Sequence, residues 1–215
     1  MAQIFPEWTN KAPKYVALAF LVVVAGVVGF FWYYGSPKYT DVGYRPQQPV
    51  PYSHKLHAGD LGMDCRYCHN HVEESPFAGV PATQTCMNCH TFILSESEKL
   101  LPVRESWANG KPIEWVRVHK LPDYVYFDHS AHLRAGIGCV ECHGNVAQME
   151  AVMQMEPLSM GWCLDCHRNP DKHIRPADEL TNMNWSPSAD HPQFVQRFKQ
   201  EKSIRPPTDC SACHR

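Results

Sequence analysis

The apolar positions of this chain are concentrated in one block near the N-terminus. Residues 15–34 read YVALAFLVVVAGVVGFFWYY, a run of 20 residues without a charge. About 20 such residues can cross the hydrocarbon core of a bilayer as a helix, and the aromatic rings at the far end resemble an interfacial belt. A signal peptide would have a shorter apolar region followed by small residues. The pattern therefore predicts a retained transmembrane helix over 15–34.

The remainder of the chain shows little sustained apolar periodicity. Its sequence contributes most of the 18 prolines and 12 glycines, which argue against long regular helices or broad sheets. The clearest soluble helix is predicted over 187–202, with Asp190 as its cap. The apolar stripe of that helix comprises Phe194, Val195 and Phe198.

Charge and cysteine content narrow the possible chemistry. The formal net charge is −2, from 20 basic and 22 acidic residues, which gives no reason to expect nucleic-acid binding. Ten cysteines in 215 residues indicate either disulfides in an oxidising compartment or a bound metal or cofactor. All ten fall in five copies of one C-x-x-C-H pattern. The copies are Cys65-Arg-Tyr-Cys68-His69, Cys86-Met-Asn-Cys89-His90, Cys139-Val-Glu-Cys142-His143, Cys163-Leu-Asp-Cys166-His167 and Cys210-Ser-Ala-Cys213-His214.

The C-x-x-C-H pattern is the attachment signature of c-type haem. Its two thiols form thioethers to the vinyl groups, and the following histidine becomes the proximal iron ligand. A lone C-x-x-C is also compatible with half a zinc site or a redox dithiol. Zinc ribbons need no histidine after every second cysteine, and a dithiol enzyme would not carry five active sites. The sequence therefore predicts five haem c groups. Their predicted proximal ligands are His69, His90, His143, His167 and His214.

Two further segments supply candidates for the distal iron ligands. Both read aromatic-x-His-x-x-His, and they precede the first and third motifs. They are Tyr52-Ser53-His54-Lys55-Leu56-His57 and Phe127-Asp128-His129-Ser130-Ala131-His132. Histidines three positions apart share one side of a helical turn and can serve two neighbouring irons. The arrangement resembles small tri- and tetrahaem cytochromes. That resemblance implies that His54 pairs with His69 and His129 with His143, while His57 and His132 reach other haems.

The fifth distal ligand is predicted to be His119, with Met153 and His71 as reserves. Methionine is a competitor because Met/His ligation occurs in haem proteins and raises the potential. Four methionines near the fourth motif are also explained by soft packing against porphyrin. Five histidine ligands would leave no iron open to a substrate. The prediction is therefore electron transfer, without a substrate site in this chain.

The predicted fold is mainly α with much irregular structure, a multihaem cytochrome c fold organised around five haems plus one N-terminal transmembrane helix. Haem c is attached outside the cytoplasm, so we expect a single-pass protein of a bacterial inner membrane with its haems on the periplasmic side. Two segments opened by the aromatic-histidine pattern indicate an internal duplication. The predicted parts are 1–14 in the cytoplasm, 15–34 as the anchor, 35–51 as a linker and 52–215 as the pentahaem domain, with haems one and two in 52–101 and haems three to five in 102–215.

Three longer segments resemble the pentahaem cytochrome subunit of Alternative Complex III, a bacterial quinol oxidoreductase. They are CRYCHNHVEESPFAGVPATQTCMNCH at 65–90, RVHKLPDYVYFDHSAH at 117–132 and MEPLSMGWCLDCHRNP at 155–170. The resemblance implies that polytopic membrane subunits oxidise quinol and that electrons pass through this chain. It also implies an iron–sulfur subunit as a partner, and a monohaem cytochrome or an oxidase as acceptor.

Two other functions are compatible with the sequence. One is a stand-alone, membrane-anchored quinol dehydrogenase that feeds a periplasmic reductase. The other is a multihaem reductase of nitrite or a similar small molecule. Each would need an open or unusual iron, and the surplus of histidines argues against the reductase. A high-spin haem would favour either alternative over a purely electron-transferring subunit.

Overall fold

A computed structural model describes residues 4–214 and divides the chain into two compact units, one that ends at Asp41 and one that begins at Val42. The first unit is dominated by helix α1, Ala12–Tyr34. Its 23 residues contain an 18-residue window with a mean hydropathy of 2.4, and at 1.5 Å per residue the helix is about 35 Å long. By length and composition α1 could cross a membrane. The short elements of this unit are the 3-10 turn Glu7–Asn10 and helix α2, Pro37–Thr40.

The second unit is built from short helices joined by irregular segments. Its α-helices are α3 Cys65–Cys68, α4 Thr83–His90, α5 Leu101–Asn109, α6 His129–Arg134, α7 Val140–His143, α8 Met160–Arg168, α9 His191–Glu201 and α10 Cys210–Cys213. A π-helical turn, Lys55–Asp60, precedes these helices, and between them lie the 3-10 turns Glu98–Leu100, Val146–Gln148, Asp171–His173 and Ala177–Glu179. Within residues 4–214 there is no strand, only two isolated bridges, Val125 with His214 and Ile137 with Ile174. This confirms the predicted class, mainly helical with much irregular structure.

Several cysteine motifs are held on a helical turn by a side-chain cap. Asp64 caps the first motif, Ser159 the fourth and Asp209 the fifth. Each side-chain oxygen accepts a hydrogen bond from a backbone N–H of the following turn, at 2.8, 3.3 and 3.1 Å respectively. Such caps satisfy donors that a helix start leaves unpaired. They fix the turn that carries both thiols and the following histidine.

The helix predicted over 187–202 is present and shorter, as α9, His191–Glu201. Asp190 occupies its N-cap position, but the side chain caps no backbone N–H. Instead it accepts a hydrogen bond from the Ser188 hydroxyl at 2.6 Å. The stripe predicted for this helix is partly buried, with Val195 only 2% exposed.

A buried arginine ties the third cysteine motif to the segment that follows the fourth. The Arg175 side chain is 1% exposed, and its guanidinium donates to the carboxylate of Glu141 and to the Asn182 carbonyl. The guanidinium carbon lies 4.5 Å from the centre of the Trp185 ring. Burial alone would raise the pKa of Glu141, but His173 and Arg175 bring it below the ordinary value. The carboxylate therefore stays charged opposite the arginine.

We expect Glu141→Ala to lower the free energy of unfolding by about 3–5 kcal/mol, because it leaves the Arg175 charge buried and unpaired. Urea unfolding of the holoprotein measures this. The matched control is Asp171→Ala, which breaks an exposed pair with Lys199 and should cost less than about 1 kcal/mol. Replacing both partners, Glu141→Ala with Arg175→Met, should recover most of the loss. Equal effects of the two single alanine variants would contradict the prediction.

Candidate haem sites

Four of the five motif histidines face the ring of a second histidine. The pairs are His54–His69 at 6.5 Å, His57–His90 at 6.2 Å, His129–His143 at 6.3 Å and His132–His167 at 6.1 Å between ring centroids. A metal–nitrogen bond of about 2 Å on each side, plus the half-width of each ring, puts two such centroids roughly 6 Å apart. The spacing therefore suits two imidazoles on opposite sides of one iron. In each pair one member belongs to an aromatic-x-His-x-x-His segment.

Burial keeps three of the paired histidines neutral. It lowers the pKa of His54 to about 4 and that of His143 to about 3, and neighbouring imidazoles add to the effect. Burial also lowers the pKa of His132. These histidines are therefore uncharged at neutral pH. A neutral imidazole offers the nitrogen lone pair that a metal requires.

Backbone carbonyls orient most of the motif histidines. In four of them Nδ1–H donates to a carbonyl oxygen, which leaves Nε2 free for a metal. These bonds are His69 to Gly79 at 2.8 Å, His90 to Ile93 at 2.9 Å, His167 to Pro207 at 2.6 Å and His214 to Tyr124 at 3.4 Å. In the fifth, His143, Nδ1 lies 3.3 Å from Nε2 of His119.

Glycine is required where the acceptor for His69 is formed. Gly79 has a φ of +79°, a backbone conformation that costs a side-chain-bearing residue energy. A Cβ there would also lie 3.2 Å from Cδ2 of His71. His71, a reserve ligand in the sequence prediction, is thus packed against the loop that orients His69.

The two predicted ligand segments have the same internal geometry, which supports an internal duplication. In each, the leading aromatic ring stacks on the second histidine and meets the first edge-on. Tyr52 lies 4.4 Å from His57 and 4.8 Å from His54, while Phe127 lies 4.5 Å from His132 and 4.7 Å from His129. Nδ1 of each second histidine donates to the carbonyl four residues earlier, at 2.9 and 2.7 Å. One aromatic side chain therefore fixes two imidazoles at once.

His119, the predicted fifth distal ligand, lies beside His143 and not beside His214, the motif histidine that faces no second histidine. Its ring lies 4.3 Å from the His143 ring, and its Nε2 is engaged there. The ring that contacts His214 is that of Tyr124, at 5.8 Å. Met153, the other reserve, is half-buried beside the buried Gln154.

The cysteine side chains show which motifs are neighbours. Cys139 lies next to Cys65, and this neighbour together with burial raises the pKa of Cys139. Elsewhere, burial raises the thiol pKa and a cysteine of another motif adds to the effect. Such neighbours are Cys68 with Cys86, Cys142 with Cys163 and Cys166, and Cys163 with Cys213. The five motifs therefore follow one another in space in the order second, first, third, fourth, fifth.

These residues fit haem c as the bound group. The five cysteine pairs supply five attachment sites, and a ring nitrogen of His54, Nδ1, is buried without a protein hydrogen-bond partner. The apolar core within residues 4–214 is also small. Its buried members are Val50, Val72, Val103, Met149, Ile174, Leu180 and Val195. Planar apolar groups between the paired rings would complete such an interior.

Comparisons with known proteins agree with this description. The profile of the family described as "Cytochrome c7 and related cytochrome c" matches residues 125–215, which contain the last three motifs. The chain is also 38% identical over 135 residues to the menaquinone reductase, multiheme cytochrome c subunit, of Nitratidesulfovibrio vulgaris. That alignment covers 62% of this chain and 59% of the relative.

We expect His57→Ala to convert one haem in five from low-spin to high-spin, because it removes the imidazole opposite His90. Electron paramagnetic resonance and visible spectra of samples matched for haem content measure the change. The control is His71→Ala, which should leave all spin states unaltered. Spectra of His57→Ala identical to wild type would contradict a ligand role for His57.

Proposed function

We propose that this multihaem c-type cytochrome, related to cytochrome c7, is the electron-transfer subunit of a membrane complex that exchanges electrons with the quinone pool. The observation that carries the proposal is the set of four histidine pairs about 6 Å apart. An iron held between two imidazoles has no position for a substrate. Sites of this kind suit electron transfer, so we assign no substrate site to the four irons that these pairs would hold.

The proposed ligands follow from the pairs. His54, His57, His129 and His132 would be the distal ligands opposite His69, His90, His143 and His167. Bound haem supplies reversible one-electron chemistry. The protein contributes by attaching each group through two cysteines, by fixing the imidazole planes and by arranging the motifs in one row. The ends of that row are the second and fifth motifs.

We further propose that α1, Ala12–Tyr34, remains in the mature protein as a membrane anchor. The preceding residues would then lie in the cytoplasm, and 35–51 would link the anchor to a pentahaem domain in the periplasm. Two features support this. The helix is apolar over the length of a bilayer core, and haem c attachment requires the cysteines outside the cytoplasm.

Two observations support a quinone-linked partner, and they favour opposite directions of electron flow. The resemblance of residues 65–90 and 155–170 to the Alternative Complex III subunit favours quinol oxidation. Polytopic quinol-binding subunits and an iron–sulfur subunit would then be partners, and a monohaem cytochrome or an oxidase the acceptor. The relative in Nitratidesulfovibrio vulgaris is named a menaquinone reductase subunit, which favours electron flow into the quinone pool.

The membership of a complex is tested by native electrophoresis of membranes in mild detergent, with haem staining and mass spectrometry of the stained band. We expect the chain to migrate with polytopic subunits and an iron–sulfur protein. Two results would together contradict this and favour the stand-alone quinol dehydrogenase. They are migration of the chain without partner subunits and direct reduction of the isolated chain by a menaquinol analogue.

The direction is tested on the isolated complex in two reactions. In the first, a menaquinol analogue is added with an oxidised periplasmic cytochrome as electron acceptor, and the reduction of that cytochrome is followed at its visible bands. In the second, a pre-reduced periplasmic cytochrome is added with a menaquinone analogue, and quinol formation is measured. Faster steady-state turnover in the first reaction supports quinol oxidation, and faster turnover in the second supports quinone reduction. The matched control in both is His57→Ala.

A further inference from the structure

The hydrogen-bond acceptors of the motif histidines differ at one site. Four of these histidines donate from Nδ1 to a backbone carbonyl. At the third motif the partner of His143 is a side chain, Nε2 of His119, at 3.3 Å. A carbonyl acceptor belongs to the backbone and is present whatever the residue, whereas an imidazole acceptor depends on the side chain at one position. His119 is thus the one side chain in this role among the motif histidines that the structure describes.

We propose that His119 is a positioning residue that accepts the Nδ1–H hydrogen bond of His143 and lowers the reduction potential of the third haem site. The inference rests on the proposed haem sites, specifically on the pair His129–His143. If Nε2 of His143 binds iron, its proton must be on Nδ1. Nε2 of His119 is then the acceptor. Such a partner makes a metal-bound imidazole more basic, and a more basic ligand stabilises ferric over ferrous iron.

The segment that carries His119 is held in place close by. The Gln48 side chain makes two hydrogen bonds to the backbone of Val116, donating to its carbonyl at 2.8 Å and accepting from its N–H at 2.9 Å. These two bonds fix an otherwise irregular stretch three residues before His119. The His119 side chain is half-buried, so the surrounding protein restricts its ring to the position beside His143.

The placement also separates two roles for His119. The sequence predicted His119 as the fifth distal ligand without assigning it to an iron. With the other four motif histidines already paired, that role would need a ring nitrogen of His119 at the iron next to His214. The structure directs Nε2 of His119 to Nδ1 of His143, on the side of the ring away from the iron-binding Nε2. The fifth haem site would then lack His119 as a ligand, and the third would gain it as a hydrogen-bond partner.

The test is a redox titration of the full-length holoprotein, wild type and His119→Leu, combined with electron paramagnetic resonance. We expect one haem in five to become easier to reduce, with a roughly threefold to tenfold change in its equilibrium constant. A tenfold change corresponds to about 59 mV for one electron. The wild-type spin states should be retained. His119→Gln offers an amide oxygen as acceptor and should restore much of the wild-type potential.

The matched control is His191→Gln, because His191 is also half-buried and hydrogen-bonded, from Nε2 to the Ile174 carbonyl at 2.7 Å. It should leave all five potentials unchanged. A new high-spin signal from one haem in five in His119→Leu would identify His119 as an axial ligand and overturn the proposal. Unchanged potentials in that variant would overturn it as well. If His119→Leu fails to mature, His119→Asn, whose amide is too short to reach His143, replaces it with the same expectations.

Failure of this proposal is distinct from failure of the proposed function. The spin state of His57→Ala and the native electrophoresis do not depend on His119. Those results would leave the electron-transfer role intact even if every potential in His119→Leu matched wild type.

Discussion

The structure depends on one constraint, which is that imidazoles from separate segments must face each other at about 6 Å. Pairs such as His57–His90 and His132–His167 join different helices, so the path of the chain between them is fixed by ring geometry. Backbone carbonyls at Nδ1 and the rings of Tyr52 and Phe127 set the ring planes. Long helices or sheets would not bring so many histidines together in so few residues. Short turns around each cysteine motif do so.

The same structural module is used twice, and the fifth motif is added to it. The aromatic ring, both histidine contacts and the carbonyl acceptor recur with nearly equal distances around Tyr52 and Phe127. The fifth motif lies outside this repeat. It is joined to the start of the second module through the Val125–His214 bridge and a hydrogen bond from the Tyr126 N–H to the Cys213 carbonyl at 2.9 Å. A C-terminal motif is thereby attached to the row without a ligand segment of its own.

The sequence was informative about features that depend on local spacing. It predicted the five motifs, the mainly irregular fold and the two ligand segments, because each depends on residues that are close together in the chain. The motifs faced by His57 and His132 could not be predicted, since they depend on which distant helices pack together. The same applies to Arg175 and Glu141. His119 shows the limit most clearly, because its residue type suggested a ligand, whereas the ring nitrogen it contacts is visible only in three dimensions.

The small apolar core has a consequence for the synthesis of the protein. With seven buried apolar side chains in the part of the chain described, side-chain burial alone contributes little to the free energy of folding. Covalent attachment of the cofactor is therefore a folding step as well as a chemical one. A new polypeptide that waits for haem remains open to proteases. The cellular amount of this protein should then follow the delivery of haem more closely than the rate of translation.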